Sequence, residues 1–154
     1  MVIPLVYIVF KYWQRRKSIQ RMRTERITAE ELRKRIHAGE AVTVVDLRHP
    51  LDFLADPRIL SHAIRILPEE FEQKHQEIPK DRELVLYCTC PNDATSAQVA
   101  LQLKNKGFQQ VRVLAGGFYG WRDQGFPLIP FYPEREKEWK EEGERFTVVS
   151  RNVG

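Results

Sequence analysis

The chain has 154 residues, 42% hydrophobic and 30% charged. That is enough for one globular domain with a real core, and it excludes a solenoid, a collagen-like repeat and a wholly disordered chain. Two cysteines, no Cys-x-x-Cys pair and four scattered histidines exclude a disulfide scaffold and leave a structural metal site without ligands, so no metal is expected. The net charge of +4 is uneven, with +6 on residues 1–26 and −2 on the rest. The basicity belongs to a short arm and not to a folded face of the kind that grips nucleic acid, so no nucleic-acid partner is expected.

The arm opens on the apolar run Val2–Phe10, where a bilayer crossing needs about 20 residues. It has neither the basic start nor the small-residue cleavage site of a signal peptide. Lys11-Tyr12-Trp13-Gln14-Arg15-Arg16-Lys17 follows, and aromatics beside basic residues are the composition of the cytoplasmic end of a membrane helix. Residues 1–26 therefore read as the end of a membrane helix or as a surface anchor, with residues 1–17 against anionic headgroups. An apolar arm packed on the domain is the alternative.

A domain over residues 27–130 follows. Thr28-Ala29-Glu30-Glu31 is a capping box opening a helix with Leu32 and Ile36 on one face and Gly39 as its stop. Ala41–Asp46 is a nearly all-apolar run, as in a strand buried on both faces. Residues 56–63 read as loop, and Pro68-Glu69-Glu70-Phe71 as a helix start. Leu84–Cys88 is a second buried strand. Residues 95–106 predict an amphipathic helix with Ala97, Ala100, Leu101 and Lys104 on one stripe, closed by Gly107. Val111–Leu114 is a third strand. Gly116-Gly117 turns into a short helix holding Trp121 and stopped by Gly125. The charged tail, residues 131–154, surrounds Trp139. Strands alternating with helices predict an α/β fold with a parallel sheet covered on both faces, whose ligands bind beyond the carboxyl ends of the strands.

The segment after the second strand lies at such an end: Tyr87-Cys88-Thr89-Cys90-Pro91-Asn92-Asp93-Ala94-Thr95-Ser96. It runs into a helix N-terminus, where unsatisfied amides and the positive dipole end face the loop. Curled amides make an anion nest, and a thiol placed in one ionises more readily and becomes nucleophilic. Thr89, Asn92, Asp93, Ala94, Thr95 and Ser96 are the candidate cradle, with Cys88 and Cys90 as candidate nucleophiles. A buried structural cysteine is the alternative, since Cys is among the most buried residue types.

The stretch from Val42 to Pro127 resembles a single rhodanese domain. The resemblance rests on Val45-Asp46-Leu47-Arg48, Leu84-Val85-Leu86-Tyr87-Cys88 and Leu114-Ala115-Gly116-Gly117-Phe118-Tyr119-Gly120-Trp121, in the family's order and spacing. Tyr87–Ser96, together with the basic arm and Arg26-Ile27-Thr28, is similar to the subgroup fused C-terminally to DedA-type membrane proteins; residues 1–13 then match the end of the last membrane helix. The resemblance implies a rhodanese-like three-layer α/β/α fold with a mostly parallel sheet of about five strands. It implies sulfurtransferase activity, with sulfane sulfur held as a cysteine persulfide and passed to a thiol or other nucleophile, without metal or organic cofactor. Location at the cytoplasmic face of a membrane goes with the anchor reading, and the cytoplasm with its alternative.

Counted from the strand, the nucleophile is Cys88. Counted back from Ser96, through the family's Cys-x-x-Gly-x-Arg-Ser loop, it is Cys90, with Thr95 at the Arg position. Pro91 lacks an amide beside Cys90, which favours Cys88 and leaves Cys90 as an auxiliary thiol. The absent loop Arg and the added Asp93 predict weak use of thiosulfate, a dianion. They also keep open a non-catalytic regulatory or redox-sensing module that uses the Cys88/Cys90 pair. Asp46 and Arg48 read as an ion pair bracing the loop, and Gly116 and Gly117 as backbone hinges allowing close approach. His49 and His62 read as loop histidines that could carry protons.

Overall fold

The computed structural model describes Tyr7 and residues 25–131. Of the arm, Tyr7, Glu25 and Arg26 are described, the last two belonging to the first strand of the fold; the rest of the arm and the tail around Trp139 lie outside the described residues. In chain order come β1 (Glu25–Ile27), α1 (Ala29–His37), β2 (Val42–Asp46), α2 (Pro50–Ala55), β3 (Arg58–Leu60) and β4 (Ala63–Arg65). Short 3-10 turns then flank α3 (Phe71–Lys74), followed by β5 (Glu83–Tyr87), α4 (Ala94–Asn105), β6 (Val111–Leu114), α5 (Gly117–Asp123) and β7 (Leu128–Pro130). No helix among the described residues is long and apolar enough to cross a membrane.

Five strands form one sheet in the order β1-β6-β5-β2-β4, every neighbouring pair parallel. The pleat explains why β5 is apolar from Leu84 onward, after the charged Glu83 at its start. Leu84 and Leu86 point into one core with Val99, Ala100 and Leu103 of α4 and Phe71 of α3. Val85 and Tyr87 point into the other, with Leu32 of α1 and Phe118 and Trp121 of α5. Successive side chains of a strand alternate faces, so a central strand covered on both sides shows no polar positions. The three-layer α/β architecture is thus present. Thr28 caps α1 as the sequence predicts, its Oγ1 accepting from the Glu31 amide at 3.2 Å.

Two local expectations are corrected. Residues 56–63 are not all loop, because β3 lies within them and pairs antiparallel with β7. That pairing joins segments some seventy residues apart, so no local periodicity announces it. The buried face of α4 is Ser96, Val99, Ala100 and Leu103, not the stripe through Ala97 and Leu101. Alanines and leucines occur all round this helix, and a polar residue, Ser96, takes a core position.

The carboxyl ends of β2 and β5 are tied by buried polar groups. Asp46 and Arg48 are both fully buried. Arg48 Nη2 and Nε donate to Asp46 Oδ2 at 2.8 and 3.0 Å, and the Arg48 amide donates to Oδ1 at 2.9 Å. Tyr87 Oη donates to the same carboxylate at 3.0 Å. Arg48 Nη1 reaches the Asp56 carbonyl at 3.0 Å and Nη2 the Arg58 carbonyl, while its guanidinium stacks 3.9 Å from the Phe118 ring centroid. Burial, and then the nearby Asp46 charge, hold the Tyr87 phenol well above its ordinary range, so it stays a donor. Removing one member of such a set strands the other charge, at a cost of about 3–5 kcal/mol. We expect Asp46→Ala to lower unfolding stability in urea by about that amount. The pair Asp46→Leu with Arg48→Met should cost distinctly less than the sum of the single changes. Additive losses would refute the coupling.

Candidate functional site

β5 delivers Cys88 to a position where its carbonyl is pinned from the far side. The Phe118 amide donates to the Cys88 carbonyl at 3.0 Å. Gly117 lies so close that a Cβ there would stand 2.2 Å from that oxygen, and its φ is +54°. A side chain at 117 is excluded both by contact and by backbone conformation. Gly116, φ +76°, makes the preceding bend. Gly117 gives the close approach to the loop, while Gly116 meets only Gly120 and supplies backbone geometry.

The loop then makes one turn before α4. Asp93 N–H donates to the Cys90 carbonyl at 3.1 Å, and Ala94 N–H to the Pro91 carbonyl. Asn92 and Asp93 are both left-handed, each with φ 55°. The amides of residues 93 and 94 are therefore committed to the turn, and Pro91 has none. Of the predicted cradle, Ser96 bears on the Cys88 thiol: its hydroxyl and amide, with the Cys90 amide, pull the thiol pKa down against burial. Thr95 instead serves Cys90, its Oγ1 lying 2.9 Å from Sγ. Thr89 turns away and donates to Asp52 Oδ2 at 2.7 Å. Asn92 and Ala94 are exposed.

The two free thiols differ in setting. Cys88 is 1% exposed and packs into the α4-side core, whereas Cys90 is only partly buried. Burial pushes the Cys88 thiol up, against the pull of the Ser96 hydroxyl and the two amides, and charge on Cys90 pushes it further. Ser96 Oγ is buried and makes no well-formed hydrogen bond to protein; its effect on Cys88 is that of a weak, poorly aligned contact. Asp46 and Arg48 bind each other, Tyr87 and the carbonyls of Asp56 and Arg58, and so brace the strand ends. His49 is exposed and caps α2, Nδ1 accepting from the Leu51 amide at 3.3 Å. His62 occupies a left-handed turn between β3 and β4. No group of three or more His, Cys, Asp or Glu among the described residues is arranged to hold a metal.

One residue at the site escapes the sequence reading. Arg26 of β1 donates through Nη1 to Asp93 Oδ2 at 2.9 Å and through Nη2 to the Asn92 carbonyl at 3.1 Å. In the sequence it is simply the last cation of a basic run, and its partner is 67 residues away.

The sequence profile described as "Rhodanese-like domain" matches residues 28–124. A "Sulfurtransferase" of Allochromatium vinosum is 32% identical over 105 residues, which are 67% of this chain and 92% of that protein. The "Probable adenylyltransferase/sulfurtransferase MoeZ" of Mycobacterium tuberculosis is 27% identical over 109 residues. The match takes in 69% of this chain and only 26% of MoeZ. Among solved structures, a rhodanese-like domain protein of Staphylococcus aureus aligns with a TM-score of 0.59 at 23% identity, over 71% of this chain and all of that one. A rhodanese-related protein of Thermoplasma volcanium aligns at 0.55 and 22%, over 68% of this chain and 97% of that one. The structural alignments establish likeness of fold.

The difference between the thiols is directly measurable. In native protein at neutral pH, iodoacetamide should label Cys90 and leave Cys88 much slower, because Cys88 is buried and its thiol is pushed up. The Cys88 rate should keep rising at pH values where an ordinary thiol has levelled off. Equal labelling in peptide maps would refute the distinction.

Proposed function

This chain belongs to the rhodanese-like domain family, and from that premise we propose that it transfers sulfane sulfur as a persulfide on Cys90. The observation that carries the reading is the contrast between the sulfurs: Cys90 is open to a donor and held by Thr95 Oγ1, while Cys88 is enclosed. The backbone supports the same register. Three residues beyond Cys90 stands Asp93, in the left-handed conformation that suits the glycine of a Cys-x-x-Gly loop. Three beyond Cys88 stands Pro91, whose ring forbids it. These observations outweigh the amide lost at Pro91. Cys88 is then the neutral thiol under the loop, seating the amides of Cys90 and Ser96.

The chemistry is two displacements at sulfur. The Cys90 thiolate attacks the donor's sulfane sulfur; an S–S bond forms while the donor's bond to that sulfur breaks and leaves with its electron pair. A thiol or cyanide then attacks the outer sulfur, and Cys90 departs as thiolate. Thr95 Oγ1 donates to the charged sulfur. Residues 88–96 carry no Lys or Arg, so a persulfide on a protein or small thiol suits the loop better than thiosulfate.

Mass spectrometry after incubation with a sulfane-sulfur donor tests this. Wild type should gain one sulfur atom and release it to cyanide. Cys90→Ser should gain none, and Cys88→Ser should still gain it. Uptake lost only in Cys88→Ser would move the nucleophile back to that residue. Loss of two hydrogens under oxidant, without sulfur uptake by any variant, would replace the enzyme with a Cys88/Cys90 redox-sensing module.

The arm's composition supports a second part of the proposal. Residues 1–17 hold the domain to the cytoplasmic face of a membrane, as the end of the last helix of a DedA-type membrane protein to which the domain is fused or as a surface anchor. In flotation with anionic liposomes, the full chain should rise with the lipid and a chain lacking residues 1–17 should stay behind. Equal flotation would remove the anchor.

A further inference from the structure

Asp93 presents two difficulties that the loop does not solve by itself. Its carboxylate is 6% exposed, and a buried anion without a partner is strongly unfavourable. It also follows Asn92 in a left-handed pair, each φ 55°, a conformation that Asn and Asp adopt more readily than other side chains but as single residues, not in succession. Such strain persists only where surrounding contacts over-determine it. No cation in residues 88–96 could serve. Asp93 Oδ1 is moreover wedged against Gly117, 3.3 Å from where a Cβ would sit.

Arg26 answers both difficulties from outside the loop. One prong of its guanidinium takes the Asp93 carboxylate at 2.9 Å, and the other takes the Asn92 carbonyl at 3.1 Å. The two prongs therefore grip the two left-handed residues. A planar fork fixes orientation as well as charge, which a single ammonium does not. β1 holds the fork in place by pairing with β6 in the register Arg26↔Val113, and β6 leads directly into Gly116-Gly117. The cation, the loop it grips and the glycines beneath the loop are thus carried by adjacent parts of one sheet.

We propose that Arg26 is a positioning residue for the reactive thiol, neutralising Asp93 and locking the Asn92–Asp93 turn so that the loop tolerates a negative sulfur. The role in sulfur transfer rests on the persulfide reading; the effect on the thiol does not. A carboxylate left unpaired in the same short loop disfavours thiolate by like charge.

The test compares wild type with Arg26→Gln, Arg26→Lys and the double variant Arg26→Gln/Asp93→Asn. It uses three readouts: iodoacetamide labelling of Cys90 at neutral pH, sulfur turnover to cyanide at saturating donor, and the urea midpoint. Arg26→Gln should slow labelling and turnover by about tenfold, because an unpaired carboxylate in the loop opposes a negative sulfur. Arg26→Lys keeps the charge and should label within about threefold of wild type, even if Arg26→Gln proves too unstable to assay. The double variant removes both charges and should recover most of the labelling rate. A merely structural role predicts instead that labelling follows the urea midpoint across all variants. That outcome, an unimpaired Arg26→Gln, or a double variant as slow as Arg26→Gln would overturn the proposal. Slowed labelling in a protein that takes up no sulfur would leave Arg26 its role and sink the transferase reading; sulfur uptake indifferent to Arg26 would do the reverse.

Discussion

The Asp46 carboxylate is the group on which the carboxyl edge of the sheet depends. It is fully buried and accepts from Arg48 side chain and backbone and from Tyr87. A buried charge is tolerable only when every lone pair is answered. Answering this one draws β2, β5 and the β3 approach to a single point, because Arg48 also holds the carbonyls of Asp56 and Arg58. The same guanidinium lies over Phe118, whose amide grips the Cys88 carbonyl. The position of the loop's first residue therefore descends, through two contacts, from a charge pair that never touches the chemistry.

That anchoring separates the two cysteines by kind. The residue directly after β5 inherits the strand's burial, so Cys88 is packed like the leucines before it and its thiol is pushed up. Two residues on, the chain has left the core, and Cys90 meets solvent and a threonine hydroxyl. Nucleophilic sulfur needs both access and stabilisation of its anion. Cys90 has a degree of access and the Thr95 hydroxyl at 2.9 Å, whereas Cys88 lacks access.

How much of this was legible follows from the range of each interaction. The Thr28 cap and the two-sided apolar strands are local patterns, and the sequence displays them. The loop could be located as strand, cysteine pair and helix start within ten residues. Its register could not, because the strand-side and helix-side counts differ by two residues, and the left-handed backbone at Asp93, on which our proposal of Cys90 leans, leaves no mark in the sequence. The face of α4 was misjudged because Ser96, polar in the sequence, is a core residue beneath the sulfur site. β3, and the contacts of Arg26, depend on partners distant in the chain, and a basic run before a domain carries no sign that its last member reaches the Asn92–Asp93 turn.

A loop that carries its own cation keeps its electrostatics when grafted or mutated at the flanks; this loop does not. Its charged contacts come from elsewhere, with Arg26 on the Asn92–Asp93 turn and Asp52 on Thr89, so its shape is set by β1 and α2 as much as by residues 88–96. A free carboxylate beside a nascent thiolate opposes it, and one neutralised by a fork hardly does. Asp93 thus acts as a constraint on the turn and not as a charge on the site, provided the strand that bears Arg26 stays paired with β6. Since β1 is only three residues long and lies at the edge of the sheet, the reactivity of the loop is tied to one of the shortest pairings in the fold.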